Sequence, residues 1–179
     1  MLEVKDTVLL VIDVQEKLFP VMFDKEILLS NLQKLVKSIS LLEIPIIYTE
    51  QNPAGLGRTI PELIGGYEAK PVSKFHFSCC NEAEFNATLS ATQRKQVLVC
   101  GIESHICVYQ TSMDLLLKDF EVHLVTDCVS SRTSQNKDLA LRRLASEGAK
   151  LTGVEMALFE LLRSSKSGQF KAISSLIKG

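Results

Sequence analysis

"TVLLVID", Thr7 to Asp13, decides how this chain folds. Val8 to Ile12 are apolar without alternation, which predicts a strand buried on both faces, as in the middle of a parallel sheet. Asp13 stops the run, so a carboxylate stands at the carboxyl end of that strand, where it is costly unless paired.

Working outward, the same short apolar runs return between longer amphipathic stretches. Leu28, Leu32, Leu35, Val36 and Ile39 recur at helical spacing and predict a helix to about Leu42. "IPIIYT" (Ile44 to Thr49) reads as a second strand. A turn-rich segment follows, "EQNPAGLGRTIPELIGGYEAKP" (Glu50 to Pro71), then a short strand at Val72 to Lys74. Asn81 and Glu84 resemble a capping box opening a helix through Phe85 and Leu89. "QVLVC" (Gln96 to Cys100) and "EVHLVTD" (Glu121 to Asp127) predict two more strands with a helix between them. Leu139, Leu141 and Leu144 mark a helix that stops at Gly148, and "KLTGV" reads as a sixth strand before a helical tail. This alternation predicts an α/β fold, a three-layer doubly wound sheet of about six mainly parallel strands with helices on both faces. No linker, repeat or low-complexity tract interrupts it, so residues 1–179 are expected to form one domain.

Composition bounds the partners. The chain has 179 residues, 46% hydrophobic and 23% charged, with a formal net charge of −1. A core burying roughly 70% of the unfolded surface is within reach at this length. Nucleic acid and acidic membranes are not expected partners, because both need a basic face. No basic, apolar leader opens the chain and no window approaches the ~20 apolar residues of a membrane span, so no signal peptide or transmembrane segment is expected. The five cysteines show no paired spacing, and the three histidines form no ligand pattern with them. That favours a reduced, intracellular and most simply cytoplasmic chain without bound metal.

Ligands of open parallel sheets bind beyond the carboxyl ends of the strands. Asp13, Lys74 and Cys107 all fall at such ends. With Ser104 as N-cap, Cys107 would lie in the first turn of a helix, whose free N–H groups and dipole would draw its pKa from ~8.5 toward the ~3.5–7.5 of activated thiols. Cys107 alone is equally well a small buried hydrophobe. Together, a carboxylate can deprotonate the thiol while an ammonium holds both anions in place. Phe19, Gln51, Phe75, His76, Glu103 and Tyr109 are candidates for a substrate pocket at the same edge.

"LLVIDVQEKLF" (Leu9 to Phe19), "VSKFHFS" (Val72 to Ser78) and "VLVCGIESHICVYQT" (Val97 to Thr111) resemble, in order, the three signature segments of the isochorismatase-like cysteine hydrolases. The likeness extends through "HLVTDCVSSR" and "ALRRLASEGA", and "YTEQNPAGLGRTIPEL" resembles the subgroup of isochorismatase domain-containing proteins. The resemblance implies a catalytic triad of Asp13 as base, Lys74 as electrostatic partner and Cys107 as nucleophile. It also implies a cis peptide at Ile102–Glu103 and an oxyanion hole from the backbone N–H groups of Glu103 and Cys107. No histidine follows the second strand, where the metal-dependent nicotinamidases of the family carry an Asp-and-His cluster, so no metal or other cofactor is expected. The cysteine favours C–N hydrolysis of a small amide or carbamoyl substrate over vinyl-ether cleavage, and the family's habit implies a homo-oligomer. The alternative is a non-catalytic scaffold or interaction protein that keeps the fold; a redox-sensing thiol is a third reading, which needs a second cysteine near Cys107.

Overall fold

A computed structural model describes residues 1–64 and 70–178; residues 65–69, the end of the turn-rich segment, and residue 179 lie outside it. Six strands form one sheet: β1 (Thr7–Ile12), β2 (Ile46–Gln51), β3 (Val72–Lys74), β4 (Gln96–Ile102), β5 (Glu121–Ser130) and β6 (Lys150–Thr152). Their order is β3-β2-β1-β4-β5-β6, and every neighbouring pair is parallel. The winding therefore reverses between β1 and β4, which makes the carboxyl ends of those two strands the switch point where such sheets open a crevice.

The apolar run of β1 supplies both cores. Leu9 and Val11 face one layer, built on α1 (Lys25–Leu41), α7 (Val154–Leu162) and α8 (Phe170–Lys178). Val8, Leu10 and Ile12 face the other, built on α4 (Ala83–Ala91), α5 (Tyr109–Leu117) and α6 (Ser134–Ser146). Two single turns of helix, α2 (Pro53–Leu56) and α3 (Pro61–Ile64), lie in the segment after β2.

Three local expectations are corrected. Asn81 does not open α4: it ends a 3₁₀ turn capped by Ser78, whose hydroxyl accepts from the Cys80 N–H, and Glu82 is the residue before the helix. β4 runs on through Gly101 to Ile102, and β5 through Cys128 to Ser130, because the ladder between them resumes at Gly101 and Val129 after a register shift. Ser104 is not a cap: Glu103 holds that place without a side-chain bond, and a π turn (Ser104–Val108) leads into α5.

Gly101 is what lets β4 come so close to β1. Its φ is +116°, and a Cβ there would collide with the Ile12 backbone. Only glycine meets both demands. The close approach brings Glu103 and the π turn beside Asp13, while Gly148, at φ +103° past the end of α6, turns the chain into β6.

Candidate active site

Asp13 leaves β1 in the left-handed region, φ +52°, and is fully buried. Thr49, the register partner of Ile12 on β2, donates its hydroxyl to Asp13 Oδ1 at 2.8 Å. Lys74 ends β3 opposite Gln51, and its Nζ lies 2.7 Å from Asp13 Oδ2, with both side chains wholly shielded from solvent. The ammonium also donates to Gln51 Oε1 at 2.7 Å and to the carbonyls of His76 and Phe77 at 3.2 and 3.1 Å. Four oxygens thus surround one cation, the satisfaction a buried charge requires.

Cys107 sits in the π turn, 7% exposed, with its thiol near enough to the Asp13 carboxylate and the Lys74 ammonium for each to act on its ionisation. Ile106 and Val108, on either side of it, both donate their N–H to the Glu103 carbonyl, at 3.1 and 3.2 Å. The Ile102–Glu103 peptide bond is cis. Two strand ends and one turn, far apart in sequence, thus deliver Asp13, Lys74 and Cys107 to one neighbourhood.

The electrostatics differ from the sequence expectation. Burial, reinforced by the neighbouring Asp13 charge, pushes the Cys107 thiol up to about 12, so it rests as a neutral thiol and not as an activated thiolate. Desolvation outweighs the helix-end dipole on which the lower value was based. Burial also raises Asp13 above the usual carboxylate range, although Lys74, Thr49 and Cys107 pull the other way. For Lys74 burial works against the charge, but the Asp13 carboxylate overrides it and holds the proton on the amine.

Of the pocket candidates, Gln51 and Glu103 join this neighbourhood. The Glu103 carboxylate accepts from Arg132 Nε at 3.1 Å and from the Arg132 N–H at 3.3 Å. Phe75 and His76 lie on the loop beyond Lys74 with their side chains exposed, Phe75 by 73%. Phe19 packs against the α1-side core, and Tyr109 against the other with Arg143 over its ring at 4.7 Å. Neither has a hydrogen bond or ion pair to Asp13, Lys74 or Cys107 among the described residues. His105 is half-buried and shares a hydrogen bond with Ser131 Oγ at 3.0 Å.

Sequence reasoning missed three contributors. Thr49 was invisible because only the β1–β2 register sets it against Asp13. Cys79 is fully buried with its sulfur 3.9 Å from Thr49 Oγ1, and burial raises its pKa to about 12. Glu82, which the sequence did not single out, accepts from the Phe75 and His76 N–H groups. All five cysteines are free. Among the described residues, no group of three or more His, Cys, Asp or Glu side chains could hold a metal ion. A hollow of about 920 Å³ lies by Met1, Glu3, Arg94 and Arg163, near the amino ends of the strands and remote from this chemistry.

Sheet order and site together define a doubly wound α/β protein whose carboxylate, ammonium and thiol meet at the switch point. The isochorismatase domain matches residues 7–156, and the chain belongs to that family. A secreted isochorismatase effector, Isc1, of Phytophthora sojae is 41% identical over 96% of this chain and 84% of its own. Isochorismatase domain-containing protein 2 of Danio rerio is 40% identical over 98% of this chain and 89% of its own. Among solved structures, the MAR1 ribonuclease from Caenorhabditis elegans superposes with a TM-score of 0.93 at 33% identity, covering 99% of this chain and 92% of that one. The YcaC product of Escherichia coli, described as an octameric hydrolase of unknown specificity, has a TM-score of 0.93 over 98% of this chain and 88% of its own; at 22% identity the likeness is one of fold.

Proposed function

We propose that this chain is a cysteine hydrolase that cleaves a C–N bond of a small amide or carbamoyl compound through a thioester on Cys107. The observation that carries the reading is the Asp13 carboxylate, buried in an ion pair with the Lys74 ammonium and electrostatically coupled to the Cys107 thiol. A thiol at about 12 is not ionised in advance, so its proton must leave as the sulfur attacks. A carboxylate raised above its usual range is the better-matched base for that step.

The reaction then balances as follows. Asp13 takes the Cys107 proton while sulfur adds to the substrate carbonyl. The N–H groups of Glu103 and Cys107 receive the oxyanion. As the C–N bond breaks, Asp13 returns the proton to the leaving nitrogen and a thioester remains. Asp13 next takes a proton from water, whose oxygen adds to the thioester carbonyl. Collapse releases the acid, and the proton goes back to the departing sulfur. Lys74 stays charged throughout and keeps Asp13 anionic between proton transfers.

A scaffold that merely kept the fold would gain nothing from this arrangement. A buried ion pair is commonly neutral or unfavourable against apolar residues of like size. Retaining one beside a thiol is what a reaction requires. The homo-oligomer expected from the sequence is part of the proposal, supported by exposed Phe75 and Phe77 beyond Lys74 and by exposed Val21, Phe23 and Ile27. An intracellular location is supported by the five free thiols, although the Phytophthora relative is named as secreted. No helix among the described residues is long and apolar enough to cross a membrane.

The test is a panel of small amides and carbamoyl compounds, with mass spectrometry of the intact protein after rapid acid quench. An acyl adduct on Cys107, with release of amine or ammonia that Cys107→Ala abolishes, is the expected result. Undiminished turnover in Cys107→Ala would overturn the thioester route. RNA incubated in parallel should remain intact; its cleavage, with every amide untouched, would move this chain toward the activity named for the nematode protein.

A further inference from the structure

Lys74 is held by more than its anion. Two of the four oxygens around its Nζ are the backbone carbonyls of His76 and Phe77. The loop that offers them has little packing of its own: Phe75 is 73% exposed, Phe77 52%, and His76 is exposed as well. Its backbone is tied down by polar contacts instead. Gln51 Nε2 donates to the Phe75 carbonyl at 2.8 Å. One oxygen of Glu82 accepts from the Phe75 N–H at 2.9 Å, from the His76 N–H at 3.2 Å and faces His76 Nδ1 at 2.9 Å.

We infer that Glu82 is a positioning residue for the reactive centre: its carboxylate pins the Phe75–Phe77 loop by the N–H groups, so that the carbonyls of His76 and Phe77 face the Lys74 ammonium. Glu82 holds the peptide units on either side of Phe75 by their N–H groups, and the next two units along the chain turn their carbonyls to the ammonium, so fixing the first two sets the direction of the second two. Contacts to a charged group are stronger than those between neutral partners. Consistent with this, the Phe75 N–H first, then the His76 ring and N–H, hold Glu82 down to about 2. Glu82 makes no capping hydrogen bond to α4, so the helix does not account for its orientation.

Without the pin the loop swings out and the ammonium loses two of its four oxygens. Its proton is then held less firmly, and the thiolate forming on Cys107 faces a weaker cation. The charged and titratable groups that face Lys74 directly are Asp13, Cys79 and Cys107, so Glu82 reaches the thiol only through the loop and Lys74.

This inference rests on Asp13 and Lys74 assisting Cys107, and its test separates the two ideas. The probe is iodoacetamide, with labelling of Cys107 followed by mass spectrometry in the full-length chain at fixed pH between 7 and 9. Lys74→Met, which removes the cation facing the thiolate, should slow labelling, and this checks the underlying reading. Glu82→Ala should slow it about fivefold to tenfold, equal to a displacement of about 0.7–1 pH unit of the rate profile. Glu82→Gln, which keeps an acceptor without the charge, should fall between. In a Lys74→Met background, adding Glu82→Ala should change the rate by less than about twofold, because the route through Lys74 is already gone. An equal slowing with and without Lys74 would overturn the inference, since a general loosening would act on both. So would an unchanged rate in Glu82→Ala while Lys74→Met is slow. An unchanged rate in Lys74→Met would remove the role of Lys74 at the thiol and the inference with it. Should Lys74→Met fail to give a cooperative thermal transition, Lys74→Gln takes its place in the cycle.

Discussion

Cys107 is stored as a thiol. Burial and the Asp13 charge push it up to about 12, so thiolate is scarce at neutral pH and grows tenfold with each unit of pH. Iodoacetamide labelling of Cys107 should therefore climb about tenfold per unit between pH 7 and 10 without levelling off. A plateau near pH 7 would mean a preformed thiolate, the state expected from a helix end. The Asp13–Lys74 pair makes a second prediction. A carboxyl raised in the folded state binds its proton more strongly there than in the unfolded chain. Its contribution to stability is thus full below about 3.8 and is lost as pH rises through the folded value, whereas the raised Lys74 contributes stability at neutral pH and loses it only as pH rises through its own folded value. Asp13→Asn alone strands the buried ammonium and should lose on the order of 3–5 kcal/mol in urea unfolding at pH 7. Asn is the apt replacement because it tolerates the left-handed backbone at φ +52°. Adding Lys74→Met should recover most of that loss, and failure to recover it would mean that the pair is a net stabiliser. Asp13, Lys74 and Cys107 were legible as candidates because each interrupts or follows an apolar strand. Thr49 and Glu82 were not, because nothing in a neutral strand residue or a helix-start glutamate reports which partner lies across space.

Among the elements, β4 bears most directly on the site. Gly101 lies against Ile12 at φ +116°, and the turn that follows delivers Glu103 and Cys107. Gly101→Ala should destabilise the fold by at least about 2 kcal/mol, through the left-handed backbone and the collision with the Ile12 backbone together. Thermal unfolding measures the loss, and Cys107 labelling in the folded fraction measures the shift of the turn. A near-neutral change would mean that β1 and β4 can separate at this end without cost. The order of strands and helices was legible because continuous apolar runs differ from amphipathic ones in period. The ends were less so. Ser104 looked like a cap by residue type alone, but the segment takes a π turn, and Glu103, turned toward Arg132, occupies the cap position. β5 looked complete at Asp127, yet it resumes pairing with β4 after a register shift that no local pattern encodes.

At the scale of the molecule, two groups of exposed apolar residues lie beyond carboxyl strand ends. Phe75 and Phe77 protrude by 73% and 52% on the loop that wraps Lys74. Val21, Phe23 and Ile27 protrude by 56%, 41% and 62% where the chain passes from β1 into α1, a stretch tied to the end of β5 by the Phe23 N–H donating to the Ser131 carbonyl at 2.9 Å. Single exposed apolar residues need no explanation, but two groups beyond carboxyl strand ends are the pattern of a surface meant to be covered. A second copy of the chain is the occupant that the proposed homo-oligomer supplies, since closed symmetric assemblies are the usual way for a soluble chain to bury such faces. Light scattering should then give a mass that is a multiple of 19.9 kDa. Replacing Phe75 and Phe77 together by serine should shift the population toward smaller species as protein is diluted, while leaving the thermal transition of the monomer cooperative. A single 19.9 kDa species at every concentration would count against the assembly and leave the loop aromatics facing substrate or solvent. The two results also differ at the reactive centre. If a neighbouring copy covers Phe75 and Phe77, dilution should speed Cys107 labelling as the loop is uncovered, whereas in a monomer the rate would not depend on protein concentration.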